Sequence, residues 1–100
     1  MKRKRKAVLL MHDEVRDEDG WRVSVKVWKV EISKTNPDGV DYSLVLLNPA
    51  GERVVGYDNH WPKGPHRHVL GEEKEYDYRG IDTLIEDFRV DMARVRGSKR

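Results

Sequence analysis

Two four-residue segments in the middle of the chain, Asn-Pro-Asp-Gly at 36–39 and Asn-Pro-Ala-Gly at 48–51, have the composition of tight turns. Proline fixes one backbone dihedral angle, and glycine adopts the positive φ that such turns often require. The stretches around them, 21–33, 40–47 and 52–57, are rich in β-branched and other apolar residues and are predicted to be strands. Short turns join consecutive strands in antiparallel fashion, so the three strands form a meander.

The stretch 21–33 alternates between apolar and polar residues, but its apolar positions change phase in the middle. They are first Trp21, Val23, Val25 and Val27, and then Trp28, Val30 and Ile32. One extra residue in the ladder, a β-bulge near Val27 and Trp28, would keep both halves facing the same core. The alternative is a long strand whose two ends cover different layers.

Two apolar runs add to the predicted sheet, one as a further strand and one as the mark of a central strand. Residues 7–11 are predicted to be a buried strand, and the acidic stretch 12–20 that follows is a turn or an extension of that strand. The apolar run 44–47 predicts cover on both faces, as for a strand at the centre of a sheet. The acidic run 72–75 is interpreted as a solvated turn, and the alternative is a local counter-charge to the basic residues of the segment 56–68.

An apolar stripe near the C-terminus predicts a helix. Its members recur at the spacing of one helical face and are Ile81, Leu84, Ile85, Phe88, Met92 and Val95. Asp82 or Thr83 is expected to cap the start, with Glu86 completing a capping box from Thr83, and Gly97 suits the end.

These elements predict an α+β fold, an antiparallel β-meander of about four strands with one C-terminal α-helix packed on one face. Trp21, Trp28 and Phe88 are expected in its core. An exposed edge at the first or last strand can pair two copies, so a homodimer is a further expectation.

A length of 100 residues limits the chain to one domain, predicted to cover 7–97, with a single modest core. Cysteine is absent, which excludes disulfides and thiolate metal sites and favours a reducing compartment. No apolar run approaches the roughly 18 residues that span a membrane, and the basic N-terminus lacks the apolar length of a signal peptide. We therefore expect a cytoplasmic protein without a membrane segment.

The net charge of +2 hides an asymmetry along the chain. Twenty basic residues less the five at positions 2–6 leave 15 against 18 acidic residues, a net charge of −3. Residues 1–6 are expected to be a disordered arm that binds RNA phosphates without reading sequence. Its basic residues are Lys2, Arg3, Lys4, Arg5 and Lys6. A solvated tail without a ligand is the alternative.

Residues 56–68 hold three of the four histidines, and their two glycines and two prolines predict a turning, partly rigid loop. The segment also contains a carboxylate, a lysine and an arginine. Cleavage of RNA through its own 2′-hydroxyl needs a base, an acid and a cation facing the phosphate, and it needs no metal. The loop is therefore interpreted as a nuclease site, and no metal or cofactor is expected.

Individual residues of the loop receive roles in this interpretation. His66 and His68 are the predicted acid–base pair, because one intervening residue places both imidazoles on the same side of an extended segment. Lys63 is expected to stabilise the phosphate, and Asp58 is expected to orient a histidine and raise its pKa. The remaining residues of the segment that are expected to contact RNA are Arg67, Tyr57, Trp61 and His60.

Three alternatives stay open for this segment. His66 and His68 with either His60 or Asp58 offer a three-ligand set for zinc or another transition ion. The glycines and the pair Asp58-Asn59 can serve turns alone. The protein can also be a binding module without catalysis, which holds RNA or a protein partner with its basic arm and its histidine loop.

Three motifs that follow one another in order carry a resemblance to a known family. They are Val54-Val55-Gly56-Tyr57-Asp58-Asn59, then Lys63-Gly64-x-His66-Arg67-His68, and, after the acidic residues, a helix with Asp87-Phe88. From about residue 23 to residue 92, the chain resembles the TumE family of small toxins from bacterial and archaeal toxin–antitoxin pairs. The resemblance implies a toxin with a cognate antitoxin as its partner. It also implies an endoribonuclease activity, by likeness to small antiparallel-sheet nucleases of the RelE and barnase kind.

Overall fold

In the computed structural model, which describes residues 7–97, an antiparallel sheet is followed by a C-terminal helix. The strands are β1 Ala7–Arg16, β2 Arg22–Val30, β3 Val40–Leu47, β4 Arg53–Asp58, β5 His66–Val69 and β6 Glu72–Glu75, and the helix is α1 Ile81–Gly97. The six strands lie in the sheet in chain order, each antiparallel to the next. The predicted α+β meander with a helix packed on it is confirmed, and the sheet is larger than expected.

The core lies between one face of the sheet and α1. The helix packs over β4, where the ring of Phe88 meets the ring of Tyr57 edge-on with centroids 6.0 Å apart. Trp21 is also buried, as expected, and the guanidinium of Arg96 lies 4.8 Å from the centre of its ring. The fully enclosed side chains of the core are Tyr42, Tyr57, Phe88, Leu44, Leu46, Leu84, Val27 and Val55.

Strand β1 is present, but its expected burial is wrong. Leu9 and Leu10 are 45% and 46% exposed, because α1 covers β4, three strands away. A bulge is present at Val27 and Trp28, as predicted, but the extra residue is in β1 and not in β2. Leu9 pairs with Trp28 and Met11 pairs with Val27, which leaves Leu10 between them without a partner.

The bulge does not bring both halves of the stretch 21–33 to the same core. Val27 is fully buried, whereas its neighbour Trp28 is 39% exposed and Ile32 is 74% exposed. The expectation that Trp28 lies in the core is therefore wrong. The change of phase marks the point where apolar side chains pass to the sheet face opposite α1.

The segment 56–68 is not one continuous loop. Its first three residues end β4 and its last three begin β5, and the two strands pair Gly56 with His68 and Asp58 with His66. The connection between them is 59–65, where the prolines and Gly64 lie and where the peptide bond between Trp61 and Pro62 is cis. The acidic run 72–75 is the edge strand β6 rather than a turn, and its exposure follows from that position.

The helix begins earlier than its expected cap. Gly80 has a φ of 114°, and its carbonyl accepts a hydrogen bond from the N–H of Leu84, so α1 begins at Ile81. Asp82 and Thr83 therefore lie inside the first turn. Among residues 7–97, no helix has both the length and the apolar character that crossing a membrane requires.

Candidate functional site

Strands β4, β5 and β6 place polar side chains on the sheet face opposite α1. Side chains alternate between the faces along a strand, and Arg67 contacts Asp91 of the helix, so His66 and His68 face the other way. Cross-strand pairing then aligns His66 with a carboxylate of β4 and His68 with a carboxylate of β6. We define the histidine cluster as Asp58, Lys63, His66, His68 and Glu73.

His66 is buried, and both of its ring nitrogens face oxygen atoms. Its Nδ1 lies 2.7 Å from the carbonyl oxygen of Gly64, which can only accept a hydrogen bond, so Nδ1 carries a proton. Its Nε2 lies 3.1 Å from Oδ1 of Asp58. A ring with a proton on each nitrogen satisfies both oxygens, and this is the form that donates a proton to a leaving group.

His68 lies beside His66, with the ring centroids 5.3 Å apart and the ring planes at 74°. Burial is the main cause that lowers the pKa of His68, and the positive charge of Arg53 lowers the pKa further, while the carboxylate of Glu73 opposes them. The net effect favours the neutral imidazole. That form accepts a proton from a hydroxyl group, so the two histidines differ in the chemistry that each can perform.

Glu73 links the basic members of the cluster. Its Oε2 lies 2.8 Å from Nζ of Lys63, 3.8 Å from Nε2 of His66 and 3.9 Å from Nε2 of His68. The hydrogen bond from Lys63 is the main cause that lowers the pKa of Glu73. Next to these residues, an open depression of about 250 Å³ is lined by Lys63, His66, Glu73, Lys74 and Glu75.

The sequence offered the acidic run 72–75 as a counter-charge to the histidine segment only as the second choice, and it did not single out Glu73, which pairs with Lys63. Leu70 and Gly71 both have positive φ, at 51° and 84°, and they form a two-residue hairpin turn. Gly71 is the part of this turn that a sequence can indicate, whereas leucine seldom adopts a positive φ, and the turn fixes the register that places Glu73 opposite His68.

Arg53 is a second residue that sequence reasoning missed. Val54 is an extra residue between Arg53 and Val55, which pair with successive residues of β3, and such a bulge redirects a side chain. The side chain of Arg53 therefore crosses Gly56, where a Cβ atom would lie 2.9 Å from Cδ of the arginine. Gly56 in turn pairs with His68. Arg53 forms no ion pair with a residue in 7–97, so its charge is uncommitted there.

Two residues that were predicted to contact RNA lie on the helix side of the sheet. Tyr57 is 1% exposed, and its hydroxyl donates a hydrogen bond to the carboxylate of Asp91, so its ring offers no surface to a base. Arg67 lies over the ring of Tyr57, and its guanidinium is 3.3 Å from Asp91. The structure therefore separates both residues from the histidine cluster.

The other predicted residues lie around the connection 59–65 or outside the described residues. His60 is exposed, with Nδ1 3.7 Å from Oδ1 of Asp58, and Trp61 is 69% exposed. Asn59 is buried, and its side chain accepts a hydrogen bond from the N–H of Tyr42 and donates one to the carbonyl of Val40, which fixes the end of β4 to β3. The arm residues 2–6 lie outside the described part of the chain.

A known protein family matches this chain. A protein-family model described as "Toxin TumE" matches residues 4–96 of the chain. No curated protein and no solved structure matches the chain. The matched region contains the whole sheet, the histidine cluster and nearly all of α1.

Proposed function

This chain belongs to the TumE toxin family, and on that premise we propose that it is the toxin of a type II toxin–antitoxin pair and a metal-independent endoribonuclease of the cytoplasm. RNA and a cognate antitoxin are its partners in this proposal. Family membership supports the toxin role. The observation that carries the nuclease activity is the pair of imidazoles 5.3 Å apart, one between two oxygen acceptors and one with a lowered pKa.

In the proposed reaction, His68 removes the proton from a 2′-hydroxyl of RNA, and that oxygen attacks the adjacent phosphorus. The bond from phosphorus to the 5′-oxygen of the next nucleotide breaks, and His66 donates a proton to that oxygen. The products are a 2′,3′-cyclic phosphate and a free 5′-hydroxyl. Asp58 holds the ring of His66 in place, since its Oδ1 is 3.1 Å from Nε2.

The phosphate oxygens need a cation that is free to approach them. Arg53 meets that need better than the lysine and arginine expected from the sequence. Lys63 is bound to Glu73 at 2.8 Å, and Arg67 is bound to Asp91 on the other face. A guanidinium also matches the geometry of phosphate with two parallel donors.

The activity is tested with purified protein, end-labelled RNA and a chelator such as EDTA. We expect cleavage that leaves 2′,3′-cyclic phosphate ends, and no cleavage of an oligonucleotide with 2′-deoxy sugars. His68→Ala and His66→Ala should each lower the rate by about 10²- to 10⁴-fold. His12→Ala, which removes an exposed imidazole from β1, is the matched control and should cleave as the unmodified protein does.

The role of the cation is tested by comparing Arg53→Ala with Arg89→Ala, which removes an exposed arginine from α1. Only Arg53→Ala should slow cleavage. A protein that shifts RNA in a gel but never cuts it would instead be the non-catalytic binding module. Expression of the chain alone should arrest growth and degrade cellular RNA, whereas the His66→Ala, His68→Ala double variant should do neither.

A further inference from the structure

Two imidazoles and one carboxylate of the histidine cluster lie close enough to share a metal ion. His66, His68 and Glu73 each offer one ligand atom, and these atoms lie within 4.8 Å of one another. Oε2 of Glu73 faces Nε2 of both histidines. We propose that they bind one divalent transition ion of the zinc class. Imidazole and carboxylate ligands suit such an ion, whereas magnesium and calcium prefer sites made of oxygen atoms alone.

The distances fit tetrahedral coordination after small side-chain movements. Bonds of about 2.0–2.2 Å at the tetrahedral angle place ligand atoms roughly 3.3–3.6 Å apart. Oε2 of Glu73 already lies 3.8 Å and 3.9 Å from the two Nε2 atoms. His68 and Glu73 are paired directly across β5 and β6, so the backbone holds two ligands of the set in register.

The hydrogen bond of His66 to Gly64 prepares the ring for a metal. Nδ1 donates to the Gly64 carbonyl at 2.7 Å, which keeps a proton on Nδ1, so Nε2 is the ligand atom once a metal has displaced its proton. Metal-binding histidines commonly hold their second nitrogen in this way. Asp58 lies 3.1 Å from the same Nε2 and has to yield this position to the metal. The third ligand is thus Glu73 rather than the Asp58 or His60 that the sequence offered.

Lys63 competes with the metal for Glu73. Its ammonium lies 2.8 Å from Oε2, and its side chain is 62% exposed, so it can swing away from the carboxylate into water. The positive charge also repels a cation at the site. Removing the lysine should therefore tighten metal binding, although the same change would weaken or spare the binding of an anion such as phosphate.

Metal binding and RNA cleavage exclude each other at this site. A metal bound to both Nε2 atoms occupies the nitrogens that accept and donate protons in the reaction proposed above. Zinc should therefore inhibit cleavage. This consequence depends on the proposed nuclease function, whereas binding of the metal does not.

The binding is tested with the full chain, free of tags, stripped with EDTA and dialysed. Titration calorimetry with ZnCl₂ should show one ion per chain, and Co²⁺ should give the intense visible absorption of a four-coordinate site. His68→Ala and Glu73→Gln should weaken binding by more than the roughly 10- to 100-fold that the loss of an outer-shell partner costs, and Lys63→Ala should strengthen it. His12→Ala and His60→Ala are the controls and should bind as the unmodified chain does.

His66 is buried, so replacing it can disturb folding as well as metal binding. The test therefore uses variants of the two more exposed ligands, His68 and Glu73. Far-UV circular dichroism and a thermal melt establish that the variants fold. Equal zinc binding by the unmodified chain and by Glu73→Gln or His68→Ala would overturn the site. If zinc binds through these residues but does not inhibit cleavage, the metal site is supported and the catalytic roles of the histidines are wrong. If cleavage requires zinc, the metal site is supported, but the proposal that cleavage is independent of metal is wrong.

Discussion

Tyr57 joins the sheet to the helix through a buried polar contact. Its hydroxyl donates a hydrogen bond to the carboxylate of Asp91, which is 4% exposed and also lies 3.3 Å from Arg67. Burial is the main cause that raises the pKa of Tyr57, so the hydroxyl keeps its proton and remains a donor. Asp91 lies next to the apolar stripe of α1, where its carboxylate is shielded from water. The hydrogen bond from Tyr57 and the ion pair with Arg67 compensate for the lost hydration.

Replacing Tyr57 by phenylalanine should lower the free energy of unfolding by about 1–3 kcal/mol, because the buried carboxylate of Asp91 loses a donor. Urea unfolding followed by circular dichroism measures the change. Tyr76→Phe, which removes a less buried hydroxyl that donates to Asp87, should cost less. Equal stability of Tyr57→Phe and the unmodified chain would show that this hydrogen bond adds nothing to folding.

The sequence allowed four members of the histidine cluster to be proposed together, namely Asp58, Lys63, His66 and His68, and the structure brings them together. The spacing of two residues between the histidines is a local signal. Glu73 and Arg53 depend on the β5–β6 register and on the bulge at Val54, which are properties of pairing between strands. The chemical roles of all these residues stay predictions.

Helix α1 packs apolar side chains over β4. Phe88→Ala should lower the free energy of unfolding by about 3–5 kcal/mol, because the ring is 1% exposed and its loss leaves a cavity against Tyr57. Thermal and chemical denaturation measure the loss. The neighbouring exposed change Arg89→Ala is the control and should leave the melting temperature almost unaltered. A similarly small effect of Phe88→Ala would contradict the packing.

The end of α1 is tied to the turn between β1 and β2 by an ion pair. Arg96 lies 2.8 Å from the carboxylate of Asp17, which also accepts hydrogen bonds from the N–H groups of Trp21 and Asp19. Burial acts to raise the pKa of Asp17, but these N–H groups and the Arg96 charge together lower it. The folded state therefore binds a proton at this carboxyl less readily than the unfolded state does.

Asp17 should stabilise the fold above its unfolded pKa, which is about 3.8, and should lose this contribution as the pH falls through its lower folded pKa. Asp17→Asn should thus melt at a lower temperature than the unmodified chain near pH 6. The difference should shrink steadily below about pH 4. Thermal melts of both proteins at several pH values test the sign, and a constant difference would exclude this linkage.

The elements with strong local signals were predicted, and those that depend on distant contacts were not. The Asn-Pro-x-Gly turns and the stripe of α1 specify their structures locally. β5 and β6 are short and polar, so no apolar period marks them. For β1 the strand was predicted correctly but its burial was not, because an apolar run does not show whether another layer covers the strand.

The molecule as a whole carries its excess positive charge at the N-terminal arm, because the chain without residues 2–6 has a net charge of −3, from 15 basic and 18 acidic residues. Deleting these residues should weaken RNA binding at low salt and reduce the slope of log affinity against log salt by up to about 3 or 4. Filter binding at several salt concentrations measures the slope. An unaltered slope would identify the arm as a solvated tail.

The order of the strands in the sheet has a consequence for synthesis on the ribosome. Each strand finds its partner in the segment that was translated just before it, so the sheet can grow as the chain emerges. Its apolar side nevertheless stays open to water until Ile81–Gly97 has been made. A product that stops before this helix would display Tyr42, Leu44 and Val55 to chaperones and proteases, so the cell could remove it before it does damage.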